Sequence, residues 1–212
     1  MPLPAPRRST WIASLPVLLV VYFFSALGLT HPVRAEEIPP LAQQHQATLQ
    51  DLQSFAIQGR MAVQYDAKGY SCQVHWHKNS DSQQISLISP LGNTLADIQV
   101  SAQGVLLISQ DGKQYAAPDA EQLTQQLLGW PLPLSQLHDW ILGRPSSGAV
   151  SAQEWDAQGR LQRFKQNDWS VEYADYRATD NYALPGKLTL RHPNLYLRLI
   201  VDEWQTLPTL TP

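Results

Sequence analysis

One cysteine, Cys72, is all that a chain of 212 residues contains. No internal disulfide can form, and a metal site built from several cysteines is ruled out. Acid is absent from the first 35 residues. Excess base is absent from the rest: residues 36–212 carry 12 Lys and Arg against 18 Asp and Glu, a formal charge of −6. That balance argues against nucleic acid as a partner and against electrostatic binding of the domain to anionic lipid. There is no Gly-x-Ser-x-Gly elbow, no glycine-rich phosphate loop and no setting for a catalytic cysteine. Nothing therefore points to an enzyme, and no cofactor is called for. The sequence also lacks internal repeats and low-complexity tracts.

What is present begins with an export signature. Arg7 and Arg8 precede an uncharged, mostly apolar stretch from Trp11 to Leu29, and Val33-Arg34-Ala35 has the small-x-small form of a cleavage site. The expected division is a signal peptide or N-terminal membrane anchor at 1–35 and one domain at 36–212. The apolar stretch is long for a signal and nearly long enough to span a membrane, so both readings of 1–35 stand.

From residue 55 the pattern has a period of two. Phe55, Ile57, Met61, Val63 and Tyr65 alternate with polar or small residues, as do Tyr70, Cys72, Val74 and Trp76. Such alternation marks antiparallel strands with one wet face. Asp66-Ala67-Lys68-Gly69 is expected to turn between them, with Gly69 supplying a positive φ. Further strands are expected at 83–89, 93–100, 105–109, 113–116, 153–156, 160–166, 169–175, 186–192 and 195–204, with tight turns at Gln158-Gly159 and Asn167-Asp168. Helices are expected at 41–53, with Leu41, His45, Leu49 and Leu52 on one face at a sheet edge, and at 119–128 and 133–142. In the last, Pro133 opens the helix, Leu134, Leu137 and Ile141 share a face with Trp140 beside them, and Gly143 and Pro145 close it. About eleven strands and three helices make a mainly β (α+β) fold: an antiparallel barrel or a strongly curved open sheet, covered by helices.

Three constellations invite chemistry. His75 and His77 share a strand face with only Ser71 and Gln73, too few ligands for a metal. Asp168, Glu172 and Asp175 sit at polar positions of a strand and its turn, a solvated arrangement rather than a perturbed acid–base pair. Ser89-Pro90-Leu91-Gly92 is a turn in which Leu91 either tucks in or protrudes. Cys72, on an apolar strand face, reads as core or cavity lining. Trp76, Trp130, Trp140 and Trp169 lie among apolar positions and can line a cavity or fill a core.

The segment from Pro131-Leu132-Pro133-Leu134 through Trp140-Ile141-Leu142-Gly143, the turn Pro90-Leu91-Gly92, and the opening strand with Gly59 and Arg60 resemble the LolB family, in order and spacing, from about His45 to Trp204. That resemblance implies an unclosed barrel of eleven antiparallel strands with a lid of three helices. It implies an apolar cavity that accepts the acyl chains of lipoproteins from the periplasmic carrier LolA, and delivery to the outer membrane. Partners would be a LolA-like carrier, lipoproteins and outer-membrane lipid, for a monomer on the periplasmic side of the outer membrane or in the soluble periplasm, or held by an inner-membrane anchor. Pro90, Leu91 and Gly92 would form the cargo insertion loop. Candidate cavity-lining residues are Phe55, Ile57, Met61, Val63, Val74, Trp76, Leu134, Leu137, Trp140, Ile141, Trp169, Val171, Leu188 and Leu190. The family is anchored through an N-terminal acylated cysteine, which this sequence does not carry. The alternative is a periplasmic module that binds another lipid or apolar ligand without transferring cargo.

Overall fold

The alternating segments become one continuous ladder. The computed structural model describes residues 37–129 and 131–207; the expected signal or anchor at 1–35, and Trp130, lie outside them. Helix α1 (Pro40–Gln50) leads into six strands joined by hairpin turns: β1 (Phe55–Tyr65), β2 (Lys68–Lys78), β3 (Gln83–Ile88), β4 (Thr94–Ser101), β5 (Gly104–Ser109) and β6 (Gln114–Ala117). Helices α2 (Ala120–Leu128) and α3 (Leu134–Trp140) follow. The chain then returns through β7 (Ser151–Trp155), β8 (Leu161–Gln166), β9 (Trp169–Ala174), a hairpin of β10 (Arg177–Thr179) and β11 (Tyr182–Leu184), β12 (Lys187–His192) and β13 (Leu195–Thr206).

Eleven of these strands form a single sheet in the order β6-β5-β4-β3-β2-β1-β13-β12-β9-β8-β7. Strands β6 and β7 are unpaired edges, so the barrel does not close. The eleven match the eleven expected from alternation. The β10–β11 hairpin was not foreseen: three-residue strands are too short to show a period, and Asp180 makes the turn at φ 50°. Among the described residues no helix is long and apolar enough to cross a membrane.

Strands β1 and β13, 11 and 12 residues long, form the spine. Their register slips at Gln58/Gly59, a bulge that bends the sheet. A Cβ on Gly59 would stand 2.3 Å from the Ile200 carbonyl oxygen, so only glycine lets the strands approach here.

Three expectations need correction. Gly69 does not supply the positive φ of the first hairpin: Asp66 does, at φ 50°, and Gly69 is already in β2, paired with Gln64. An aspartate tolerates that conformation, which frees the glycine for the ladder. Helix α1 ends at Gln50 and buries Ala42 and Leu49, with His45 and Gln46 half-buried, while Leu41 is 56% exposed. The buried stripe therefore starts one residue later than the leucine pattern suggested. The helix rests where expected, at a sheet edge, over the β7–β8 turn: a Cβ on Gly159 would lie 2.4 Å from the Leu41 carbonyl carbon. Pro133 caps α3 from outside, and the helix proper starts at Leu134. For α2 the expected start holds: Asp119 caps it, accepting from the Gln122 amide at 2.7 Å.

Candidate functional site

The sheet has an apolar inner face and a polar outer one. Phe55, Ile57, Val63, Val74, Trp76, Trp169, Val171, Leu188 and Leu190 all lie within one buried cluster, with Met61 packed against it. Leu134, Leu137 and Trp140 of α3, and Ile141 just beyond it, belong to the same cluster. All fourteen candidate lining residues therefore meet on one side of the sheet. Sequence reasoning missed Ile85, Ile98, Val105, Leu197, Leu199, Val201 and Phe164, which continue the same face. The signal was available, since β3, β4 and β13 show the alternation that picked out β1 and β2. Cys72 is half-buried among these residues and burial raises its thiol pKa, which fits lining rather than reactivity.

Aromatic rings organise the interior. Phe55 meets Trp76 and Trp204 edge-on, each at 5.6 Å, and Trp140 lies 6.0 Å from Trp169 and 6.2 Å from Phe164. Trp140 is also held by polar groups at both ends. Its indole N–H donates to Gln166 at 2.9 Å, and its carbonyl accepts from the Tyr173 hydroxyl at 2.7 Å. Gln166 in turn donates to the Ser146 carbonyl at 2.9 Å. A buried amide in the core is tolerable only when satisfied in this way. Burial holds the Tyr173 hydroxyl well above its usual pKa, so it stays a donor.

A second polar seam fastens α1 to the end of α3. Arg144 donates to Asp139 through Nε at 2.8 Å and Nη2 at 2.7 Å, and also to the Leu49 carbonyl of α1. Gln46 of α1 donates to the Gly143 carbonyl at 3.0 Å. Gly143 turns at φ 85°, where a Cβ would sit 2.9 Å from the Tyr176 hydroxyl. Lys78 and His138 lie beside this seam, and burial lowers the pKa of each. Between α2 and α3, the Leu132 amide donates to Thr124 at 2.7 Å and the Ser135 amide to Glu121 at 3.3 Å.

The β3–β4 turn is closed by hydrogen bonds and presents its leucine outward. Ser89 donates from its amide to the Asn93 carbonyl at 2.8 Å, Gly92 to the Ser89 carbonyl at 2.9 Å, and Asn93 to the Ser89 hydroxyl at 3.1 Å. Gly92 sits at φ 88°. Leu91, at the tip, is 89% exposed, the greatest exposure of any large apolar side chain among the described residues. It protrudes, which settles the choice between tucked and outward.

The remaining candidates stay on the outer face. His75 and His77 line a shallow groove of about 300 Å³ with Gln58, Ser86 and Glu203. Asp168 occupies the β8–β9 turn at φ 62°, Asp175 ends β9 at φ 58°, and Glu172 is paired with Arg163 at 3.6 Å and Arg191 at 3.5 Å. The three carboxylates are not gathered into one site.

The chain matches the family described as "Outer membrane lipoprotein LolB" over residues 53–204. It is 32% identical over 193 residues to the outer-membrane lipoprotein LolB of Nitrosococcus oceani, covering 91% of this chain and 96% of that protein. It is 34% identical over 153 residues to that of Nitrosomonas europaea, covering 71% and 72%. Among solved structures it resembles a DUF1329 family protein of Desulfovibrio piger, with a TM-score of 0.50 at 7% identity over 81% of this chain and 92% of that one. That likeness shows a shared fold.

Proposed function

Because the chain belongs to the LolB family, we propose that it accepts lipoproteins from a LolA-like periplasmic carrier and inserts them into the outer membrane, working on the periplasmic side of that membrane. The observation that carries this reading is the pairing of a continuous apolar face, roofed by α3, with a leucine held outward on a hydrogen-bonded tip. The first suits acyl chains and the second suits a bilayer.

Magnitudes explain why such a device is needed. Each methylene is worth about 0.8 kcal/mol, so three acyl chains of ~15 methylenes would cost on the order of 36 kcal/mol to expose to water. The chains must pass from one apolar enclosure to the next without full exposure. On this reading the ten inner-face residues, and the four on and just beyond α3 that cover them, line the acyl site once cargo parts the helices from the sheet, and Pro90, Leu91 and Gly92 act at release. A single leucine supplies only ~1.5–3 kcal/mol, enough for a brief membrane contact and too little for anchoring.

The test starts from a purified carrier–lipoprotein complex. Lipoprotein should move from the carrier to this protein, and then into vesicles of outer-membrane lipid. Uptake of free phospholipid with no uptake of lipoprotein would replace this reading with that of a module for another apolar ligand.

A further inference from the structure

We infer that Arg191, Tyr196 and Arg198 form a docking site for the phosphate headgroups of an anionic phospholipid bilayer, on the outer face of the sheet at the end that carries Leu91. The inference extends the reading of Leu91 as a membrane-contacting tip.

Strand pairing assembles the site. Arg191 of β12 lies directly opposite Tyr196 of β13, and Arg198 is two residues further along the same face. The Arg191 guanidinium stands 5.0 Å from the centre of the Tyr196 ring and that of Arg198 5.4 Å, with Arg198 also donating to the tyrosine hydroxyl. One half-buried ring thus holds two like charges. Arg191 shares its carboxylate, Glu172 at 3.5 Å, with Arg163. Among the described residues Arg198 has no carboxylate partner. Tyr196 and Gln64 line two shallow grooves, one of about 380 Å³ that includes Arg191, Asn194 and Asp66, and one of about 350 Å³ that includes Tyr70 and Ser71.

The surrounding face is cationic although the chain is acidic. Arg163 and Lys165 of β8 and Lys187 of β12 point outward in neighbouring rows, against two acids in those rows, Glu172 and Glu154, the latter paired with Arg163 at 3.3 Å. Asp66 and Asp168 border the face at its turns. The overall charge of the domain, which opposes binding to anionic lipid, averages over this separation.

Position selects the occupant. The β1–β2, β3–β4 and β12–β13 turns all lie at one end of the sheet, because the intervening strands are antiparallel neighbours. Strand β13 is three ladder steps from β3, about 15 Å at ~4.8 Å per step. A bilayer touched by Leu91 is therefore within reach of these guanidiniums. Their planar donor fork matches a phosphate, and tyrosine is a residue that settles at headgroup depth.

The experiment uses the unit Ile38–Pro212, which holds the whole sheet, core and helices as one compact body, and measures flotation with phosphatidylethanolamine vesicles with and without phosphatidylglycerol. Each guanidinium near an anionic surface is worth a factor of about five, so R191Q/R198Q should bind phosphatidylglycerol vesicles roughly thirty-fold more weakly at low salt. The difference should shrink at high salt, and R191K/R198K should recover most of the binding. Equal binding by R191Q/R198Q and the parent overturns the inference, as does a loss that ignores salt. Unchanged flotation with weakened capture of the LolA-like carrier would assign the face to a protein instead. Lipoprotein transfer by Leu91→Glu, measured alongside, fails or survives independently of these arms, so the failure of the insertion reading is distinguishable.

Discussion

Replacing Leu91 with glutamate should separate cargo binding from cargo release. The side chain packs on nothing, being 89% exposed, and the turn is held by backbone bonds and Gly92 rather than by Leu91 itself. Folding stability should therefore change by less than about 0.5 kcal/mol. The fourteen candidate lining residues lie on β1, β2, β9 and β12 and on or just beyond α3, none of them on the strands that flank the tip, so lipoprotein should still leave the carrier. What disappears is the leucine's burial in the bilayer, worth ~1.5–3 kcal/mol, which is roughly a ten- to hundred-fold change in the step that depends on it. The assay loads labelled lipoprotein from the carrier, adds outer-membrane vesicles, and follows label in the soluble complex and in the vesicles. Label should accumulate in the soluble complex of Leu91→Glu, and Leu91→Ile should transfer at close to the parent rate. Normal transfer by Leu91→Glu, with loading also normal, would refute the insertion role of the loop.

Other consequences follow from the packing. Gly59→Ala puts a Cβ 2.3 Å from a backbone oxygen that cannot step aside, and should cost about 3 kcal/mol in urea unfolding, the upper end of the overpacking range. Gly69→Ala meets nothing within 4 Å at an ordinary φ and should be near neutral in the same measurement. Arg144→Met removes the bonds that join Asp139 to the Leu49 carbonyl, so hydrogen exchange in α1 should accelerate and an apolar dye should bind the inner face more tightly; unchanged protection of α1 would show that the seam holds nothing shut. Burial lowers the pKa of His45 and His138 in the folded state, with Asp139 opposing and Lys78 and Arg144 reinforcing the shift at His138. Their contribution to stability is therefore complete above the unfolded value of about 6.5 and lost as pH falls through it toward the folded values. Thermal scans from neutral pH to about pH 5 should show that loss, and it should be smaller in His138→Gln; an identical slope in parent and variant would remove His138 as a source.

How much of this was legible in the chain depends on which periodicity carries the information. Period-two alternation in the first hairpin, with turn signals at short spacing beyond it, named the strands of the large sheet, because a one-sided sheet writes its inner face into the sequence. The same alternation placed the ten strand residues among the fourteen candidates on one side, and helical spacing placed the four on and just beyond α3. In the expected face around α1, His45, Leu49 and Leu52 turn inward but Leu41 does not: the small Ala42, which carries little apolar signal, takes the buried place at the start of the stripe. The bulge at Gly59 depends on Ile200, 141 positions away in the chain, and register across such a distance has no local signature. The cationic face was hidden for the same reason: Arg163, Lys165, Arg191 and Arg198 are scattered through three strands in an acidic chain, and only pairing brings them together. The seam through Arg144, Asp139 and Leu49 joins segments 95 residues apart and could not be read from either one.

An apolar face that serves as the core when empty and as a lipid site when loaded must exchange one occupant for another at little net cost. The inner face allows this because Leu134, Leu137 and Trp140 bury against it roughly the same kind of surface that an acyl chain would. Apolar area removed from water is then similar in both states, and the hydrophobic term largely cancels. What distinguishes the states is the set of directional contacts that acyl chains cannot replace: Trp140 with Gln166 and Tyr173, Arg144 with Asp139 and Leu49, and Thr124 with Leu132. Neutral bonds of this kind are each worth about 0.5–1.5 kcal/mol net, and charged ones about 1.5–3. Their sum is far smaller than the cost of exposing three acyl chains. On the proposed reading the helices should therefore yield to cargo presented directly from a carrier, with the closed arrangement prevailing in its absence. On the function proposed above, transfer by this route needs only a gradient of apolar affinity from carrier to receptor to membrane, and Leu91 should act at the last step.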